Sequence, residues 1–97
     1  MKSFDEVCKE LDIAFDNYKN NTSGFVEEIY NKIFVAVKDG NLESKENNLE
    51  SFLFIIFDSM SKEEIDDVLR EINNLNGDKD VLDIMRDAAR RAKDMKA

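Results

Sequence analysis

The chain has no histidine, no proline, three glycines and a single cysteine in 97 residues. Each scarcity removes a class of explanation. Without histidine the commonest general base is gone, together with Ser-His and Cys-His nucleophile pairs and most transition-metal sites. Without proline, and with so little glycine, the chain carries the punctuation of a helical protein. The lone Cys8 can close no intramolecular disulfide, which suits a reducing compartment. A membrane span needs about 20 apolar residues, and the longest unbroken apolar run, Phe52-Leu53-Phe54-Ile55-Ile56-Phe57, falls well short. The opening residues Met1-Lys2-Ser3-Phe4-Asp5-Glu6 reach acids before any apolar core. A secretory signal is therefore not expected, and the protein is read as cytoplasmic.

What is present is charge and periodic apolar sequence. There are 22 acids against 14 bases, a formal charge of -8, with 42% hydrophobic residues. That apolar content is threaded through the whole chain, so a disordered polymer is excluded and one helical domain over residues 1–97 is expected. The negative balance disfavours nucleic acid and anionic membrane as direct partners, since both reward Lys and Arg. It permits a basic protein partner. Heavy use of Asn, Lys and Ile suits an AT-rich genome such as that of a low-GC bacterium or its phage.

The apolar run dictates the architecture. On a helix, Leu49, Phe52, Leu53, Ile56, Phe57 and Met60 form one stripe at spacings of three and four, with Phe54 and Ile55 outside it. Two large side chains left in water would each forgo roughly 1.5–3 kcal/mol of burial. The segment is therefore expected to be a central helix at about residues 44–60, wrapped by the others or covered on its second face by a partner chain. A strand is rejected for want of a second strand to pair with.

In chain order, Ser3 with Glu6 makes a capping box that opens a helix to about Lys19. Its stripe is Phe4, Val7, Cys8, Leu11, Ala14, Phe15 and Tyr18, and Asp5, Asp12 and Asp16 lie on the opposite face. Thr22 or Ser23 is expected to cap a second helix, from about Gly24 to Lys38, with Phe25, Val26, Ile29, Tyr30, Ile33, Phe34 and Val37 inward and Gly40 as its stop. Ser44 is the expected cap of the central helix. Ser61-Lys62-Glu63-Glu64 is the clearest capping box; it begins a fourth helix built on Ile65, Val68, Leu69, Ile72 and Leu75, stopped at Gly77. Asp78 or Asp80 caps a fifth, with Val81, Leu82, Met85, Ala88, Ala89, Ala92 and Met95 on its stripe. Short connections then predict an all-α fold, a compact bundle of about five short helices whose neighbours run mostly antiparallel.

No chemistry-bearing constellation emerges. Cys8 sits on an apolar stripe, where a thiol behaves as a small hydrophobe, because reactive thiols need an electropositive and partly exposed site. A calcium loop begun at Asp39 would have Asn41, Glu43 and Glu50 as ligands but Ser44 where Gly is required; one begun at Asn76, with Asp78 and Asp80, has Val81 there. No phosphate-binding or dinucleotide fingerprint is present. No enzyme activity, cofactor or metal is expected.

Charge is more informative. Residues 86–97 hold Arg86, Arg90, Arg91, Lys93 and Lys96 against Asp87 and Asp94, a net of +3, which leaves the rest of the chain at -11. The basic end is read as a solvated helix face opposing the helix dipole, with Asp83–Arg86 and Asp87–Arg91 pairs. Glu63, Asp66, Asp67 and Glu71, followed by Asp78 and Asp80, are the expected partner-binding residues. These features point to a small acidic, non-enzymatic interaction protein that regulates or inhibits a larger, basic protein. Two alternatives stay open: an acidic nucleic-acid mimic of the phage anti-defence kind, and a homodimer joined through Phe54 and Ile55. The motifs are generic and tie the chain to no known family.

Overall fold

The computed structural model describes residues 4–18, 22–38 and 46–96, and among them it is all helix and connection, with no strand. The elements are α1 (Phe4–Tyr18), α2 (Thr22–Lys38), α3 (Glu46–Asp58), α4 (Lys62–Asn74) and α5 (Lys79–Met95). The second helix begins at Thr22, two residues ahead of the expected start at Gly24. The expected caps Ser3 and Ser44, the stop at Gly40 and most of the loop tested for calcium lie outside the described residues.

One apolar cluster joins all five helices. α1 contributes Val7, Leu11 and Ala14; α2 contributes Phe25, Val26, Ile29, Ile33 and Ala36; α3 contributes Leu49, Leu53, Ile56 and Phe57. Met60, Ile65, Val68 and Ile72 continue it through α4, and Val81, Leu82, Met85, Ala88, Ala89 and Ala92 through α5. Phe25 ties three elements together. Its ring lies 5.5 Å from that of Phe15 and edge-on to Phe57 at 6.3 Å, geometry that the aromatic quadrupole favours over face-to-face stacking. The alanines of α5 are fully buried, so its small-residue stripe permits close approach of neighbouring helices, and α3 makes its broadest contact there. Met95, expected on that stripe, is exposed, as is Phe34 on α2, while Ala36, one turn beyond Ile33, is buried.

Two consecutive pairs, α1 with α2 and α4 with α5, obey the short-connection rule. Glu10 meets Lys32 and Phe15 meets Phe25, so α1 and α2 are antiparallel; Asp66 meets Lys93 and Asn73 meets Arg86, so α4 and α5 are too. The broadest contact departs from that pattern. Glu50 and Phe54 lie beside Arg91, and Asp58 lies beside Lys96, so α3 and α5 run side by side in the same direction. Nothing constrains their relative sense locally, because a whole helix separates them in the chain.

α3 itself is buried along its stripe but is not wrapped on every side. Phe54 is half-buried beneath the Arg91 guanidinium, 4.8 Å from ring centre to Cζ, while Ile55 is 65% exposed. The surplus apolar surface of this helix is thus partly met by a cation on the ring face, an arrangement worth about 0.5–1 kcal/mol at an exposed site. Lys96 finishes the contact by donating to the Asp58 carbonyl at 2.7 Å, which satisfies an orphan acceptor at the end of α3.

Candidate functional site: an acidic outer face

The expected partner-binding acids are positioned by the start of α4. The Ser61 hydroxyl accepts from the Glu64 amide at 3.2 Å, and the Glu64 carboxylate accepts from the Ser61 amide at 2.9 Å, a complete capping box. With the helix phase set and Ile65, Val68 and Ile72 buried, Glu63, Asp67 and Glu71 repeat every four residues along the outward side and Asp66 falls on the flank next to α5. Asp78 and Asp80 stand apart from this row, at the N-terminus of α5.

Most of these carboxylates already have cations. Asp66 accepts from Lys93 at 2.6 Å, and that hydrogen bond holds its pKa below the ordinary carboxylate value against the opposing effect of burial. Asp67 pairs with Arg70 at 2.8 Å. Glu63 is exposed, and Glu71 is half-buried. Asp78 does double duty: one oxygen caps α5 by accepting from the Val81 amide at 3.2 Å, and the other meets Lys38 at 3.1 Å. The Lys38 hydrogen bond is the main reason its pKa is lowered. Asp80 shares the same ammonium at 3.8 Å.

Most of the basic end of the chain is correspondingly committed. Arg86 binds Asp83 at 3.0 Å and the Asn73 side chain at 3.1 Å. Arg91 turns to Glu50 at 3.7 Å and to Phe54, not to Asp87 as expected from spacing along its own helix. Its side chain is long enough to reach across to α3, and covering an apolar ring there gains more than an exposed pair on one helix, worth about 0.3–0.5 kcal/mol. Cys8 is a half-buried free thiol. Burial first, then Asp5 and Asp12, pushes its pKa up to about 11, the environment of an unreactive thiol. Among the described residues no group of three or more Cys, Asp or Glu side chains is placed to hold a metal ion, and no helix is long and apolar enough to cross a membrane.

Two clusters escape sequence reasoning. On the first, Tyr30 of α2 accepts a hydrogen bond from the Asp78 amide at 2.7 Å, stacks on Phe34 at 5.8 Å and presses on Gly77, where an added β-carbon would lie 2.5 Å from Tyr30 Cζ. Gly77 is not a left-handed helix stop. Leu75 ends α4 in extended conformation, the backbone at Gly77 lies outside the positive-φ region, and glycine is needed there because a tyrosine ring occupies the space of a side chain. On the second, Lys32 bridges Glu10 of α1 at 3.2 Å and Glu28 of its own helix at 3.3 Å. Burial works to lower the Lys32 pKa, but the hydrogen bonds it donates to both carboxylates outweigh that and raise it. Only the Glu28–Lys32 spacing of four could have been read locally.

Compared with protein-family models, with curated proteins and with solved structures, the chain matches none.

Proposed function

We propose that this chain is a small acidic interaction module that acts without catalysis in the cytoplasm, binding a larger protein through a basic surface on that partner and inhibiting it. The observation that carries the reading is the distribution of unmatched charge. Arg86, Arg91, Lys93 and Lys96 of the basic end are held by Asp83, Glu50, Asp66 and Asp58, and no charged side chain among the described residues is buried, so the acids that outnumber the bases there lie at the surface of the bundle. A negative exterior steers a basic partner and suppresses nonspecific contact with nucleic acid. Imitation of nucleic-acid phosphates by the Glu63–Glu71 row is the extreme form of the same idea.

A second reading has one observation behind it. Ile55 projects from α3 with most of its surface open, as a homodimer through this helix requires. Phe54 favours it less, since Arg91 already covers that ring.

A tagged pull-down from host lysate at low and high salt, with light scattering on the purified protein, separates these. Recovery of a basic protein released by salt, whose activity falls on binding, supports the module; competition by DNA or RNA selects the mimic. A stable dimer that captures nothing and is split by Ile55→Asp with folding intact replaces the module with the homodimer.

A further inference from the structure

The interaction-module reading leaves open which face binds, and the geometry of α1 and α2 narrows it. Lys32 and Glu10 meet across the seam between these antiparallel helices at 3.2 Å. Ile13 lies one turn beyond Glu10 on α1, and Val35 lies one turn beyond Lys32 on α2. Because the helices run in opposite directions, these side chains fall on opposite sides of the ion pair. Both stand well away from the core on the outer lip, Ile13 at 58% and Val35 at 47% exposed. Three residues of rise in each direction separate them by about 9 Å along the helices, or about 12 Å diagonally, close to two turns of an α-helix. Glu28, one turn before Lys32, falls beside Ile13. The bridge therefore sets two carboxylates against one ammonium between two exposed aliphatic side chains.

Single exposed apolar residues are ordinary on soluble proteins. Their coincidence with the Glu10 and Glu28 carboxylates is what sets this seam apart. α4 carries the acidic row but exposes no large apolar side chain, and Phe34 on the far flank of α2 is stacked on Tyr30. Ile55 on α3 is a lone aliphatic between pairs of mixed sign, Glu50–Arg91 and Asp58–Lys96. Binding energy concentrates where apolar anchors are desolvated inside a charged rim.

We infer that the outer seam of α1 and α2 is the docking surface, and that its occupant is a basic amphipathic helix of the partner. That helix carries two apolar side chains about two turns apart, with Lys or Arg beside them to meet Glu28 and Glu10. The assignment rests on the interaction-module reading and specifies its face and partner class.

The probe is a fluorescein-labelled amphipathic helix of lysine and leucine, about four turns long, titrated with the full chain by fluorescence anisotropy. Binding is expected to weaken with salt. Ile13→Gln combined with Val35→Gln should cost about tenfold or more in affinity, while Ile55→Gln stays within about twofold of the unchanged protein. Glu28→Gln should flatten the salt dependence. Circular dichroism checks each variant, and on the unchanged protein the Ile13 and Val35 methyl signals should be among those most shifted by the probe, a readout that needs no variant. Unchanged affinity of the double variant, or methyl shifts elsewhere, overturns the inference. If Glu63→Gln with Asp67→Asn carries the loss instead, the seam is wrong while the acidic module stands. No binding of the probe by the unchanged protein also overturns the seam, and the pull-down then decides the module separately.

Discussion

Alanine at position 77 should change sign in its effect on stability according to what stands at position 30. In the native protein an added β-carbon lies 2.5 Å from Tyr30 Cζ and 2.9 Å from Cε2, so the ring must swing away. Swinging breaks the hydrogen bond from the Asp78 amide, worth about 1 kcal/mol, and the stacking on Phe34, worth about 0.5–1.5 kcal/mol. Against this, replacing glycine restricts the unfolded chain and returns about 0.4–1 kcal/mol, because the backbone here does not demand positive φ. The net expectation for Gly77→Ala is a loss of about 1–2 kcal/mol. In a Tyr30→Ala background the obstruction is gone, and the same substitution should stabilise by about 0.4–1 kcal/mol. Urea denaturation followed by helical circular dichroism reads both, with m for a domain of this size about 1–3 kcal/mol/M, so the midpoint should fall by about 1 M in one background and rise in the other. The coupling is the quantity of interest. Equal effects in the two backgrounds would refute the claim that the ring of Tyr30 is what requires glycine.

Ser61→Ala removes the hydroxyl half of the capping box and should lower stability by about 1 kcal/mol in the same urea assay. Cys8, with its pKa raised to about 11, should react with iodoacetamide at neutral pH far more slowly than an unperturbed thiol, about a hundredfold from its thiolate fraction alone; a rate equal to that of the urea-unfolded protein would contradict its burial. The depressed pKa of Asp78 means that the folded state holds the charged form more strongly than the unfolded chain does. Its contribution is therefore present above the ordinary value of 3.8 and is lost as pH falls through the lower folded value. Asp78→Asn keeps a side-chain acceptor for the Val81 amide but loses the Lys38 pair, so its stability should fall less steeply than that of the native protein below about pH 4. Phe25→Ala should lower stability by about 3–5 kcal/mol, a large share of what a domain of this size has, and melt the protein near room temperature or abolish its transition.

Helix number, most of each buried stripe, the cap at Ser61 and, as one of two candidates with Asp80, the cap at Asp78 were legible in the sequence, because these depend on spacings of three and four residues and on short side chains bonding to nearby amides. Ile65, Val68 and Ile72, or Val81, Met85 and Ala88, must share a face on any α-helix, whatever lies opposite. The expectations that failed concern residues whose partners lie on other helices. Arg91 reaches Glu50 and Phe54 in preference to Asp87, and Gly77 answers to Tyr30 rather than to the helix it follows. The Tyr30 hydroxyl and the Asp78 amide are 48 positions apart, and no local pattern encodes that meeting.

The candidate site divides along the same line. That Glu63, Asp67 and Glu71 lie in one outward row follows from periodicity alone. Which acids remain available does not, since Asp66 and Asp78 are matched by Lys93 and Lys38 brought over from other helices. The sequence by itself determined an acidic chain of amphipathic helices that must collapse onto one apolar core. Tertiary structure alone decided which faces meet, that α3 runs parallel to α5, and that Ile13 and Val35 come to flank the Lys32 bridge. The physical reason is that hydrophobic burial is nondirectional, so the apolar stripes demand covering without naming their cover, and the choice is made by side-chain volume and reach across elements distant in the chain.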